Sequence, residues 1–297
     1  MSRKINKSLI QSVKVQRRIS YVFRIVLALI AVLFAVGPVL LIVSASLDPR
    51  DSMTSQRLIP PGATGKNYSD LFTSKVHPFG KWLLNTLKIS SITAVLTIFI
   101  CSISAYAFSR FRFRGRRSLL LSVFLIQVFP NALTMIATFL LIQAIGRFVP
   151  GLGLNSHGGL ILVYLGGAMG INTWLMKGYF DSVPRSLDES AKIDGASNWQ
   201  IYWKIIIPVV KPIIAVVTLL SFISAYSDFL IPQIIIQDTN KFTLAVGLTL
   251  FIRSGQYSQS WGVFAAGALI GAVPIVVLYL FLQDFLVSGL TAGAVKG

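Results

Sequence analysis

The chain reads as an all-α membrane protein with six transmembrane helices, and three observations carry that reading. Hydrophobic residues fill 54% of its 297 positions and charged residues only 12%, with a mean hydropathy of +0.73; a soluble fold that apolar would lack the polar side chains to cover its surface. Uncharged stretches recur at the length of about 20 residues that a helix needs to cross the hydrocarbon layer with its backbone satisfied internally. The basic residues behind the net charge of +17 sit at the ends of those stretches and form no solvated face, which excludes nucleic acid as the partner and points to lipid.

The elements follow in order. Residues 1–20 form a basic amino-terminal segment, with Arg3, Lys4, Lys7, Lys14, Arg17 and Arg18 ahead of the first apolar run, Ile25 to Leu47. That run is too long for a signal-peptide core and no small-residue cleavage site follows it, so it stays as an anchor. Ile89 to Ser109 is the second span and Ser118 to Gly146 the third. A break rich in Gly, Pro and Asn from Gly146 to Gly159 leads to the fourth, which ends near Met176. The fifth runs from Pro212 to about Ile236 and the sixth occupies much of Ser254 to Gln283. A permease domain over 21–289 and a tail over 290–297 complete the division.

Orientation follows from the Lys and Arg beside the spans, because basic residues resist transfer. The amino-terminal cluster and Arg110, Arg112, Arg114, Arg116 and Arg117 then lie in the cytoplasm. Both termini face in, and 48–88, 147–159 and 237–258 face out. Those outer segments hold a minority of the 27 basic residues (Arg50, Arg57, Lys66, Lys75, Lys81, Lys88, Arg147, Lys241 and Arg253).

Between the fourth and fifth spans, 181–211 is the one long stretch where charge, small residues and cap signals coincide. Ser186-Leu187-Asp188-Glu189 reads as a capping box that starts a short helix. Gly195 is the natural left-handed stop, and a second box, Ser197-Asn198-Trp199-Gln200, starts the next helix. The expected product is helix, glycine turn, helix at the membrane face, with Ser190, Ala191 and Gly195 small enough to let a partner approach the backbone.

Glu189-Ser190-Ala191, then Gly195, then Ile205-Ile206-Ile207-Pro208 resembles the E-A-A, G and I-x-L-P loop of bacterial ABC importer permeases, with matching spacing; Ser190 stands for the usual Ala and Ile207 for the usual Leu. The segments Gly151 to Gly159, Tyr164 to Gly167, Lys177 to Phe180, Thr243 to Gly247 and Gly289 to Gly297 narrow the resemblance to the smaller membrane subunit of maltose and maltodextrin importers. The resemblance implies a type I importer permease in a bacterial cell membrane that moves oligosaccharide by alternating access. It implies four partners: a larger permease subunit, a cytoplasmic ATPase homodimer, an extracytoplasmic solute-binding protein and the sugar. Glu189, Ser190, Ala191, Gly195, Ile205, Ile207 and Pro208 become ATPase-coupling residues. Thr291, Gly293, Lys296 and Gly297 become a tail reaching between the ATPase protomers, non-helical because it is glycine-rich. Ser254, Gly255, Gln256, Tyr257 and Ser258 become the loop that enters the binding protein's sugar cleft.

Other signals carry less. Gly62-Ala63-Thr64-Gly65-Lys66-Asn67 lacks the first glycine and the final Ser or Thr of a phosphate loop, so the chain is expected to hold no cofactor of its own, ATP and Mg being bound by the partner ATPase. Pro130 would kink the third span and Asp228 is an ionisable group within the fifth; both are candidate pathway residues. Gly166 and Gly170 have the spacing of a close helix contact. His77, His157 and the lone Cys101 compose no metal site and no catalytic constellation, so an enzyme is not expected. An ion-driven secondary transporter would place carboxylates near the midplane, where these spans are nearly free of acids.

Overall fold

A computed structural model describes residues 2–50, 58–127, 131–253 and 260–294, with helices, turns and coil but no strand among them. The centre of the bundle is α3 (Phe79–Arg110), packed between α6 (His157–Ser182) and α10 (Lys211–Ser227). Large side chains (Phe79, Trp82, Ile89 and Tyr106) are buried toward the two ends of α3, and between them its buried face reads Ser90, Thr93, Ala94, Thr97, Cys101, Ser102 and Ala105. Those positions recur at helical spacing, and all are small. Lipid tails are as apolar as leucine, so helices gain little by hiding apolar surface from one another. Close backbone approach across small residues supplies the attraction instead. Side-chain ties reinforce it: Asn172 Nδ2 donates to Ser221 Oγ at 3.2 Å between α6 and α10.

Around this centre, α13 (Trp261–Ala294) packs on α1 (Ser2–Leu47), on α10, on α12 (Leu244–Arg253) and on α2 (Lys66–Thr73). Tyr226 Oη donates to the Gly271 carbonyl at 2.7 Å, tying α10 to α13. The end of α1 is pinned by Asn67, whose amide donates to the carbonyls of Ser46 and Asp48, both at 3.0 Å. None of the apolar window of α1 is buried by the rest of the chain; it rests on this bundle only along one edge and at its final turn.

Among the described residues, four helical segments are long and apolar enough to cross a membrane: Ser20–Leu47, Phe79–Arg110, His157–Ser182 and Trp261–Leu286. The stretch expected as the third span forms α4 (Arg116–Ile126) and α5 (Asn131–Phe148), on either side of 128–130; Pro130 lies outside the described residues. The fifth differs from expectation at both ends. It is entered through α8 (Asn198–Gln200), a π-turn over Ile201–Ile206 and α9 (Ile207–Val209), then bends by 79° at Val210 into α10. Its exit is cut short, because α10 ends at Ser227 and a separate α11 (Leu230–Ile235) follows. Asp228 is the cause. It is extended, and its Oδ1 accepts the Leu230 N–H at 3.1 Å.

The glycine-rich tail is also corrected. α13 continues through Thr291 and Gly293 to Ala294. Extending an existing helix adds a backbone bond per residue fixed, and that outweighs the penalty of about 1 kcal/mol per glycine. Lys296 and Gly297 lie outside the described residues.

Candidate functional site

The elbow begins where α6 stops. Pro184 cannot continue that helix, and its fixed φ opens the next one. The Leu187 N–H bonds the Pro184 carbonyl at 3.3 Å and the Glu189 N–H bonds the Arg185 carbonyl at 3.0 Å. Arg185, with helical dihedrals, is therefore the cap of α7 (Ser186–Ile193), and Ser186 is already inside the helix with no capping bond. The first expected box does not form, because Pro184 starts the turn one residue early and removes Ser186 from the capping position.

The stop at Gly195 is as expected. Its φ is +82°, and a Cβ there would meet nothing within 4 Å; backbone conformation alone demands glycine. The Gly195 N–H bonds the Lys192 carbonyl at 3.0 Å and the Ala196 N–H bonds that of Ala191 at 2.9 Å, the paired bonds of a Schellman cap. The second box forms in full: Ser197 N–H donates to Gln200 Oε1 at 2.8 Å and Gln200 N–H to Ser197 Oγ at 3.3 Å.

Of the signature residues, Glu189, Ser190 and Gly195 are exposed and Ala191 is buried. Ile205 and Ile207 are half-buried and Pro208 is exposed. The deepest anchors are residues that the sequence reading did not single out. Ile201, Tyr202 and Ile206 are buried with Met176, Phe180 and Cys101. The Tyr202 hydroxyl bonds Ser102 Oγ at 2.6 Å, and its ring lies 5.2 Å from that of Tyr106. Around the elbow, large apolar side chains face away from the bundle: Leu187, Ile193 at 87% exposure, Trp199 at 57% and Trp203. Asp188 is the one charged side chain of α7 that is buried, its Oδ2 2.6 Å from Arg110 Nε. Burial pushes its carboxyl above the ordinary value, against the opposing pull of Arg110, Lys192 and Arg185.

Ser254 to Ser258 lie outside the described residues. At the end of the bundle away from the elbow, Trp82 Nε1 donates to the Thr239 carbonyl at 2.7 Å, Asn85 Nδ2 to that of Asn240 at 2.9 Å and Lys81 Nζ to Asn240 Oδ1 at 3.0 Å, which holds the turn leading into α12 against the start of α3. Asp228 does not stand free in the bundle: besides its bond to Leu230, its Oδ2 accepts from the Tyr164 hydroxyl at 3.0 Å. Gly166 has open space around it, whereas a Cβ on Gly170 would lie 2.6 Å from Gln127 Nε2. The small-residue contact at Gly170 therefore receives a side chain rather than a second helix.

The elbow stands at one end of a helical bundle that has the fold of the type I importer permeases. Residues 97–291 match the family described as binding-protein-dependent transport system inner membrane component, and the chain belongs to that family. It is 40% identical over 290 residues to the galactooligosaccharides transport system permease protein GanQ of Bacillus subtilis, covering 97% of this chain and 100% of that one. To the maltose/maltodextrin permease protein MalG of Photorhabdus laumondii it is 39% identical over 271 residues, with 88% and 90% covered. A crystal structure of a bacterial ABC transporter involved in import of the acidic polysaccharide alginate superposes with a TM-score of 0.73 at 28% identity, covering 90% of this chain and 96% of that one. This chain is thus a bacterial membrane transport component, the permease of an ABC sugar importer and not an enzyme.

Proposed function

We propose that this chain is the smaller of two permease subunits in an ATP-driven importer of maltose and maltodextrin-type oligosaccharides, and that its elbow docks on the ATPase. The observation that carries the docking is the elbow's surface: Leu187, Ile193, Trp199 and Trp203 face away from the bundle around the exposed Glu189 and Ser190. An apolar set on a rigid, doubly capped projection suits a protein cleft better than water. Ala191, Ile205, Ile207 and Pro208 then serve as the elbow's footing.

On this reading the termini and elbow are cytoplasmic. ATP and Mg are held by the ATPase, whose closure moves α7 and turns the spans outward to receive sugar from the binding protein. Thr291, Gly293, Lys296 and Gly297 extend toward the ATPase dimer. Ser254, Gly255, Gln256, Tyr257 and Ser258 meet the binding protein, where glycine and serine give a slim polar tip and Tyr257 a ring able to stack where a sugar had been.

A galacto-oligosaccharide substrate is the second reading, favoured by the relative from Bacillus subtilis whose whole length is matched. Uptake of radiolabelled maltotriose and of a galactotriose by the reconstituted complex, with ATP and with or without an ionophore, decides the matter. Maltotriose uptake that needs ATP and survives the ionophore is expected. Preference for galactotriose selects the second substrate, and loss of uptake with the ionophore overturns ATP coupling.

A further inference from the structure

Only two side chains of α7 are buried, Asp188 and Ala191. Alanine offers little grip, so the hold of the bundle on this helix passes through Asp188. Its partner is Arg110, the last residue of α3; Nε lies 2.6 Å from Oδ2, and the two side chains are 7% and 9% exposed. Asp188 Oδ1 and Arg110 Nε are both buried with no hydrogen-bond partner, so charge, not an aligned hydrogen bond, holds the pair together.

The arginine is itself fixed. Its Nη2 donates to the Val183 carbonyl at 3.1 Å and its Nη1 to Ser109 Oγ at 3.4 Å. Ser109 Oγ donates to Asp181 Oδ1 at 2.7 Å, and Arg185 Nη2 donates to the Ser109 carbonyl at 3.3 Å. The last turn of α3 is thereby laced to both sides of the α6–α7 junction.

We propose that Arg110 and Asp188 are positioning residues that couple α7 rigidly to α3, so that displacement of the elbow by the ATPase is delivered to the helix at the centre of the bundle. This rests on the docking role proposed above. Apolar contacts can slide by a fraction of a side chain, whereas separating a buried ion pair strands a charge away from water, so the contact resists slipping. Helix α3 packs on both α6 and α10, so a shift of its end reaches the elements that would line the route.

The test uses the full importer, with both permease subunits, the ATPase and the binding protein, reconstituted in vesicles with whichever trisaccharide the unaltered complex transports. The readout is sugar moved per ATP hydrolysed. In Asp188→Asn and in Arg110→Gln, hydrolysis is expected to persist while that ratio falls about tenfold, a coupling change of ordinary size. The double variant is expected to be no worse than either single one, as partners in one contact should behave. An unchanged ratio in an assembled Asp188→Asn complex overturns the proposal. Should that variant fail to assemble, Asp188→Glu keeps the charge but displaces the carboxylate by one methylene; a lowered ratio supports the proposal and an unchanged one overturns it. A crosslink from Ser190→Cys to the ATPase separates the two claims: its absence refutes docking itself, whereas its presence with an unchanged ratio refutes only the rigid link.

Discussion

Gly195 and Gly247 show two different reasons for a glycine. At Gly195 the surroundings are open and the φ of +82° excludes other residues. An alanine there costs about 1–2 kcal/mol of strain; a proline is worse, since its φ is locked near −65° and it lacks the N–H that bonds Lys192. Gly195→Pro is expected to leave the protein inserted with ATP hydrolysis uncoupled from transport, seen as ATPase activity without uptake; uptake at the unaltered rate would refute the elbow's role. At Gly247 the space is the constraint, because a Cβ would lie 2.2 Å from the buried Trp82 ring. The same cluster makes a pH prediction. His77 lies 4.8 Å from the Phe251 ring, and burial holds its pKa below 6.5. The fold favours the neutral imidazole, so the stabilisation is complete above the ordinary pKa of about 6.5 and is lost as pH falls through the lowered value. Thermal unfolding in detergent should shift downward on acidification from neutrality, and His77→Asn should flatten that slope.

Helix by helix, hydropathy located the spans and missed their interruptions. α3 begins at Phe79, ten residues ahead of the apolar run at Ile89, because Lys81, Asn85 and Lys88 break the run without breaking the helix. Lys81 and Asn85 are spent on the 239–242 turn, a partnership far away in sequence. The break at Asp228 is local chemistry, visible beforehand as a charge but not as a cap. The π-turn over Ile201–Ile206 lies directly ahead of Pro208, which cannot donate to the Lys204 carbonyl and crowds it; a widened turn relieves that crowding. At the elbow, spacing sufficed for Gly195 and for the Ser197 box, whereas the pairs Tyr202–Ser102 and Arg110–Asp188 join residues with no shared local pattern. The tie between α4 and α6 was also illegible. Gln127 Nε2 donates to the Gly167 carbonyl at 2.6 Å and its Oε1 accepts the Ile171 N–H at 3.0 Å, so one amide engages two successive levels of α6. Gly170→Ala should expel that amide and cost about 0.5–1.5 kcal/mol for each hydrogen bond lost, measured as a lower melting temperature. In a Gln127→Leu background the same change should cost less, which a double-mutant cycle detects.

For the molecule as a whole, the directions of the helices supply an argument about sidedness independent of charge counting. The end of α1, the start of α3 and the start of α13 meet: Asn67 bonds the end of α1, Gly262 lies so near Asn67 that a Cβ would come within 2.3 Å of its amide, and Gly267 lies against Phe79. The start of α1 and the end of α13 therefore lie toward the opposite end, where Arg110 closes α3 and grips the elbow. The start of α1, the end of α13 and the elbow share one face, the arrangement expected from the basic residues of the amino-terminal segment and of Arg110 to Arg117. The native thiol makes this testable, because Cys101 is fully buried and should give little background to a membrane-impermeant maleimide. Val76→Cys, exposed at the α2–α3 end, should react in intact cells whose outer barrier is open. Ser190→Cys should react only after the inner membrane is breached. Labelling in the reverse order would invert the bundle, place the elbow where no cytoplasmic ATPase can reach it, and so overturn docking and the Arg110–Asp188 link together.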